Sequence, residues 1–459
     1  MKIKKEIPVF KGQQLEIVID GLNHQGEGVG RHEEFTVFVP QALPGDKVIA
    51  RVISVQKSYA RALVEKLLNT SPQRVVAVCE HFGQCGGCQL QHLDYAEQLK
   101  YKQRVVYDAL KRIGGLDVTV LPTIGMANPW HYRNKAQVPI GMSSGKVQAG
   151  FFEKGSHKIV DLNSCHIQHP VNDQVVHIVR KQLQELKIPI YNEKEHRGLV
   201  RHIVARTSFA TAEVLVTIVT NGRELPQAQK LITALRANIN NLVGIVQSIN
   251  TRRVNVILGE EEKTLWGRPY LIEKIGSLTY RLSPRSFFQV NSQQTEILYQ
   301  KAKEYAALQG QEIVFDLYCG IGTIALYVAD AAAKVVGVEI VEAAVEDAKQ
   351  NAKLNGISNV EFHAGAAEEL VPKLYQQGYK ADVVLVDPPR KGCDEKLLKT
   401  IASMQPERLV YISCNPATLA RDLKYLTAHG FTVVKVQPVD MFPHTAHVEC
   451  VTLMSKVEK

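Results

Sequence analysis

The chain has 459 residues, 45% hydrophobic and 22% charged, which suffices for ordinary globular cores and, at roughly 150 residues per domain, suggests about three of them. Lys and Arg number 55 against 46 Asp and Glu, a net charge of +9; this suits a polyanion partner such as RNA, although plain solubility accounts for it as well. No run of about 18 apolar residues occurs, so no membrane span is expected, and eight cysteines in a chain of this size do not read as a disulfide framework.

The first residues, MKIKKE, are charged and lack the apolar core of a secretory signal, so a cytoplasmic protein is expected. Residues 8–67 alternate β-rich runs with Gly/Pro turns: Phe35 to Val39, Lys47 to Val55 and Ala60 to Leu67, with Pro44-Gly45-Asp46 between two of them. Short strands at this spacing predict an OB-like five-stranded barrel over 1–68. Asn69 to Gln73 reads as a linker. Residues 75–275 form a mixed α+β region. Its first helix is predicted over about 95–113, with Ala96, Leu99, Val106, Leu110 and Ile113 on the apolar face and Gly114-Gly115 as the stop. Lys100, Lys102, Arg104, Lys111 and Arg112 make this helix basic, which is compatible with RNA contact or with a solvated face. From about 310 strands and helices alternate, so 280–459 is predicted to be a parallel, doubly wound, Rossmann-like α/β domain, with ligands beyond the strand C-termini.

The stretch FDLYCGIGTIAL starts at Phe315. Asp316 ends the first strand, and Gly320 and Gly322 form the turn into a helix. The loop lacks the third glycine of a dinucleotide fingerprint. Glu339 ends the second strand, where a carboxylate accepts ribose hydroxyls. The fourth strand ends in Asp387-Pro388-Pro389-Arg390, and D-P-P at that place is a feature of methyltransferases acting on bases. Together these favour S-adenosyl-L-methionine as cofactor over a nicotinamide nucleotide.

VYISCNPATL, residues 410–419, puts Cys414 between a buried strand and a helix capped by Asn415 and opened by Pro416. The helix N-terminus favours thiolate, the nucleophilic form. Beside a methyl donor, a thiolate has one evident use: it adds to carbon 6 of a pyrimidine, and carbon 5 becomes able to attack the methyl group. A base must then remove the carbon 5 proton. Glu449, in a late strand predicted over His447 to Leu453 at the sheet edge, is the candidate, with His444 and His447 as alternatives. Cys450 should face away into the core, and Cys319 and Cys393 receive no catalytic role. A further set, Cys79, Cys85 and Cys88 with Cys165 far downstream, offers four thiolates for zinc or for an iron–sulfur cluster; spacing leaves the metal open.

The motifs FFQVN (287–291), DLYCGIGT (316–323), VDPPRKG (386–392), ISCNP (412–416) and DMFPHTAHVE (440–449) closely resemble those of the bacterial RNA (uracil-5-)-methyltransferases, and the likeness spans nearly the whole chain. The barrel resembles a TRAM domain, an RNA-binding module. This resemblance implies Cys414 as nucleophile and Glu449 as base. It implies Gln289, Tyr318, Glu339 and Asp387 as cofactor-binding residues, of which Gln289 has no other sequence signal. It also implies a [4Fe–4S] cluster on Cys79, Cys85, Cys88 and Cys165, and a basic motif near the target base at Tyr132-Arg133-Asn134-Lys135. The implied substrate is 23S rRNA, with the tRNA T-loop as the alternative, and a monomer is the default. A cytosine-5 or amino-group methyltransferase, and a non-catalytic RNA-binding iron–sulfur protein, are the rival readings.

Overall fold

A computed structural model of the chain describes residues 7–457. Strands β1 (Gln14–Leu22), β2 (Gly28–His32), β3 (Phe35–Val39), β4 (Lys47–Val55) and β5 (Tyr59–Asn69) close into a barrel in the order β1-β2-β3-β5-β4. The alternation in β1 explains the closure: Leu15, Ile17 and Ile19 are buried while the residues between them face water. Residues 1–6 of the predicted barrel region lie outside the described residues.

Helix α1 (Tyr95–Ala109) follows, capped by Asp94, whose side chain accepts from the Ala96 N–H. Its end departs from the expectation. The last turn, Leu110–Gly114, is wound wider than an α-helix, and Gly115, at φ +70°, terminates it. The buried face is also different. Ala96 and Ile113 are exposed, while Gln98, Tyr101, Lys102 and Val106 are buried. A count of apolar letters cannot see this, because Gln98 and Lys102 go inside with their polar ends satisfied. Gln98 Nε2 donates to the carbonyls of Leu90 and Leu93 at 3.0 and 2.8 Å.

Strands β6 (Lys135–Ser143), β7 (Lys146–Phe152), β8 (Ile159–Asp161), β9 (Val200–Thr207), β10 (Val214–Thr220), β11 (Leu242–Ile249) and β12 (Glu261–Gly267) build a sheet in the order β12-β11-β10-β9-β6-β7-β8. Helices α2 (Pro170–Glu185) and α3 (Ala228–Asn238) pack on it through Val175, Val179, Leu231 and Leu235. A hairpin, β13 (Leu271–Ile275) and β14 (Leu278–Leu282), leads into α4 (Ser292–Ala306).

The rest alternates: β15 (Ile313–Leu317), α5 (Thr323–Val328), β16 (Lys334–Glu339), α6 (Glu342–Leu354), β17 (Val360–Ala364), α7 (Ala367–Gln376), β18 (Val383–Val386), α8 (Glu395–Met404), β19 (Arg408–Ser413), α9 (Pro416–Thr427), β20 (Phe431–Val439) and β21 (Glu449–Lys456). The sheet runs β17-β16-β15-β18-β19-β21-β20. The first five strands are parallel, as expected for a doubly wound domain. The late strand differs from its prediction. It begins at Glu449, not His447, and it is not at an edge: it runs antiparallel between β19 and β20. The edge strand β20 is covered by residues 120–124, where the Leu121 and Ile124 N–H groups donate to Val436 and Pro438 carbonyls at 2.9 and 3.0 Å. Chain that precedes the central sheet in sequence thus belongs spatially to the C-terminal one.

Candidate active site

The C-terminal ends of the parallel strands open into a cavity of about 840 Å³. It is lined by Gln289, Tyr318, Glu339, Asp387, Cys414 and Glu449, and its far side by Cys79, Cys85, Cys88 and Cys165. These ten residues, the candidate nucleophile, base, cofactor and metal ligands, therefore face one space.

The glycine loop after β15 is built by backbone geometry. Tyr318 sits at φ +67°, uncommon for a residue with a side chain, and the Tyr318 and Cys319 N–H groups both donate to the Val338 carbonyl, at 2.9 and 3.1 Å. Gly322 has φ +81°, and a Cβ there would lie 2.9 Å from the Phe362 ring, so only glycine fits. Glu339 faces this loop. Its Oε2 accepts from the Gly320 N–H at 3.0 Å and its Oε1 from the Val341 N–H at 2.9 Å. Each oxygen keeps acceptor capacity for a ribose hydroxyl. Asp316 is fully buried. Its Oδ2 accepts from the Ala325 N–H at 2.8 Å, while Oδ1 has no partner. Burial, with the charges of Asp387 and Glu339, pushes its carboxyl well above the usual range. Gln289 is buried, and its carbonyl accepts from Asn134 Nδ2 at 2.9 Å.

Cys414 and Glu449 are made neighbours by register. Ser413 pairs with Cys450 across β19 and β21, so the next step places Cys414 opposite Glu449. Cys450 points away and is fully buried, as alternation requires. Asn415 caps α9 by accepting from the Ala417 N–H at 3.1 Å, and its Nδ2 donates to the Arg390 carbonyl at 2.9 Å. One residue therefore ties the Cys414 turn to the Asp387–Arg390 turn.

The electrostatics run against the expected activated thiolate. Burial, then the charges of Glu449 and Asp387, push the Cys414 thiol up to about 11; Arg390 pulls in the other direction. Burial holds the Asp387 carboxyl up to about 7. Glu449 is raised well above the usual carboxylate range, by burial and by Asp387, and its Oε2 has no hydrogen-bond partner. The thiol is raised by burial and by two adjacent carboxyl groups although α9 begins at Pro416 beside it. This is a set of three acids reluctant to ionise together.

The basic motif divides. Tyr132 is buried and donates to the Pro443 carbonyl at 3.0 Å, and Asn134 bonds to Gln289 and Ser292; both are framework. Arg133 and Lys135 line the cavity, and burial beside Arg206 and Arg133 brings Lys135 down to about 7. His444 is also framework: it is buried, stacks on Trp130 with ring centres 3.7 Å apart, and has a positive φ of 67°. His447 does line the cavity. Of the α1 cations, Lys102 is fully buried against Asp440, and Lys100, Arg104, Lys111 and Arg112 pair with acids on or beside their own helix. Tyr299, Arg390 and Phe442 line the cavity without having been singled out. For Arg390 a signal existed, since it directly follows the D-P-P turn.

The four distal thiols form no disulfide. The Gly87 N–H donates to Cys85 Sγ at 3.4 Å, and backbone N–H groups of Ile167 and Gln168 approach the Cys165 sulfur. Burial and mutual proximity push Cys88 and Cys165 up to about 12. Among the described residues, no group of three or more His, Cys, Asp or Glu side chains stands at distances that hold a metal ion. The four thiols face one cavity, and backbone N–H groups approach the sulfurs of Cys85 and Cys165.

Residues 94–457 match the family model described as tRNA (uracil-5-)-methyltransferase, and residues 8–64 match that of the TRAM domain. An uncharacterized RNA methyltransferase of Halalkalibacterium halodurans is 50% identical over 98% of this chain and 99% of its own length. One of Clostridium tetani is 48% identical over 99% and 98% respectively. The crystal structure of the Pyrococcus abyssi tRNA (uracil-54, C5)-methyltransferase in complex with S-adenosyl-L-homocysteine superposes with a TM-score of 0.77 at 31% identity, covering 96% of this chain and 100% of that one. The barrel, the doubly wound sheet and the acid-lined cavity at its strand ends are those of an S-adenosylmethionine-dependent RNA uracil-5 methyltransferase, and the chain belongs to the tRNA (uracil-5-)-methyltransferase family.

Proposed function

We propose that the protein methylates carbon 5 of a uridine in 23S rRNA through a covalent adduct between Cys414 and carbon 6 of the base. The observation that carries this reading is the convergence of a thiol and two carboxyl groups with raised pKa in one cavity, beyond the ends of β19, β21 and β18.

Glu339, Gln289, Tyr318 and Asp387 would hold S-adenosylmethionine, which supplies an electrophilic methyl group and a positive sulfonium charge. Cys414 gives up its proton to solvent as its sulfur bonds to carbon 6, and regains one when it is later expelled as thiolate; the electron pair of the 5,6 double bond moves towards carbon 5 and the carbonyl at carbon 4. Carbon 5 then takes the methyl group. Glu449, as carboxylate, removes the carbon 5 proton, and the re-formed double bond expels Cys414. One proton is released for each methyl delivered. The elevated pKa of Glu449 suits it to accept a proton from carbon, since a stronger base is a better proton acceptor. The raised thiol pKa keeps Cys414 protonated until positive charge enters the cavity. The base must leave its stack to reach the thiol.

The four distal cysteines would hold a [4Fe–4S] cluster as a structural staple, because the methyl transfer requires no electron. Their thiols share the cavity, and backbone N–H groups approach two of them, Cys85 and Cys165. The preference for rRNA rests on the family resemblance. The tRNA enzyme of P. abyssi covers 96% of this chain, so the barrel alone does not separate the two substrates, and a tRNA T-loop uridine is the second reading. Nuclease digestion and mass spectrometry of 23S rRNA and tRNA from cells with and without the gene test both. Loss of 5-methyluridine from 23S rRNA supports the first reading, loss from tRNA the second, and no change in either sinks the uracil reading.

A further inference from the structure

The chain leaves β11 at Ile249 and returns to β12 at Glu261, which pair directly. Between them lies a loop that is closed as tightly as a piece of regular structure. Gly259 is pressed on its base: a Cβ there would lie 1.7 Å from the Ile249 carbonyl oxygen. Its N–H donates to Ser248 Oγ at 2.9 Å. Inside the loop, Asn250 Nδ2 donates to the carbonyls of Val256 and Ile257 at 2.7 and 3.1 Å. From below, Arg201 donates to the carbonyls of Asn250 and Arg252 at 2.6 and 2.8 Å. Arg201 is 6% exposed and sits over the Tyr191 ring. Committing a buried guanidinium to main-chain carbonyls closes a compact Ω-loop.

What this rigid loop presents is unusual for a surface turn. Residues 251–256 are all exposed, including Val254 at 42% and Val256 at 60%. Arg252 is paired with Glu260, but Arg253 is exposed, donates to the Lys194 carbonyl and, among the described residues, forms no ion pair. Ile257, which follows Val256, lines the cavity that holds Cys414, as does Arg285, whose Nη1 reaches the Glu260 carbonyl. The loop thus stands directly beside the lining of the cavity that a target base would enter.

We infer that the loop 250–258 is an RNA-contact element at the mouth of the active site. Val254 and Val256 support unstacked bases next to the target uridine, and Arg253 meets a backbone phosphate. Exposed apolar side chains that bases can pack against, with a cation outside any ion pair beside them, suit single-stranded nucleic acid. The inference rests on the RNA methyltransferase reading and names the surface that grips the substrate.

The test uses the full-length enzyme as Arg253→Ala, Arg253→Lys and Val254→Ser/Val256→Ser variants, with unmodified 23S rRNA and tRNA transcripts as probes. All substitutions are on exposed side chains, and affinity for S-adenosylhomocysteine serves as the folding control. The transcript that the wild type methylates should show a KM raised about fivefold or more in the double valine variant, with kcat within about twofold. Arg253→Ala should lower the slope of log affinity against log salt by about 0.7, the value for one phosphate contact on a single strand, and Arg253→Lys should restore it. Unchanged KM and unchanged salt slope in these variants would overturn the inference. Wild-type methylation, scored in parallel, reports on the function reading alone, so the two fail separately.

Discussion

Lys102 Nζ and Asp440 Oδ1 stand 2.5 Å apart, and neither side chain reaches water. The pair joins α1 to the segment that ends in Glu449. Lys102 also donates to the Phe442 carbonyl at 3.0 Å, and Asp440 Oδ2 accepts from Tyr95 at 3.0 Å. On its other side α1 touches the barrel, where Tyr101 donates to the Asn23 carbonyl at 2.8 Å. The barrel, α1 and the loop 440–449 are thus one packed unit.

Removing one partner strands the other. Lys102→Met leaves a buried carboxylate without its cation and should cost about 3–5 kcal/mol in denaturant unfolding. The double variant Lys102→Met/Asp440→Asn should lose less than the sum of the two single changes. Equal additivity would mean the pair carries no coupling.

The Cys414 thiol should be slow to alkylate in the free enzyme. Iodoacetamide reacts with thiolate, so its rate should climb with pH towards about 11. Glu449→Gln removes a negative charge beside the sulfur and should shift that profile to lower pH. A fast reaction at neutral pH in the unmodified enzyme would contradict a thiol held protonated by burial and two carboxyl groups.

Glu449→Gln should stall the reaction after methyl transfer, because the carbon 5 proton then has no acceptor. A protein–RNA adduct that survives denaturing electrophoresis should build up, and Cys414→Ala should form none. Turnover should fall by at least about 10²-fold in the Gln variant. Adduct formation by Cys414→Ala would reassign the nucleophile.

Asp387 is held up to about 7, against 3.8 for a free aspartate. Below both values each state keeps the proton and the site costs nothing. As pH rises the unfolded state ionises first, so stability is lost progressively up to about pH 7 and stays lost above it. Asp387→Asn abolishes this titration. It should raise Tm at pH 8, by about 2–4 °C for each kcal/mol recovered, and raise it far less at pH 4. Activity should disappear at both. A Tm gain independent of pH would refute ionisation of the buried carboxyl as its cause.

Anaerobically purified protein should carry about four irons per chain with thiolate-to-iron absorption. Cys88→Ser should lose both and unfold at a lower temperature. Colourless protein with one zinc would correct the cluster assignment while leaving the methyl-transfer chemistry untouched.

Local signals carried much of this protein. Strand alternation in Gln14–Leu22, the Asn415 cap and the Gly322 turn are written in neighbouring residues, because backbone sterics and hydrogen bonds act over a few positions. The motifs holding Cys414, Glu339 and Asp387 were legible in the same way, as were their positions at strand ends, whereas Glu449, expected inside a strand from His447, opens β21 instead. Other features required the folded chain. The insertion of β21 between β19 and β20, which makes Glu449 the neighbour of Cys414, depends on pairing between distant strands. The burial of Lys102 depends on Asp440, 338 positions away. The raised thiol pKa depends on burial first and then on carboxyl groups supplied by two other strands, and from VYISCNPATL alone the helix terminus was the only charge in view. Register, burial and electrostatic coupling are properties of pairs remote in sequence, and they are settled only when packing brings those pairs out of water together.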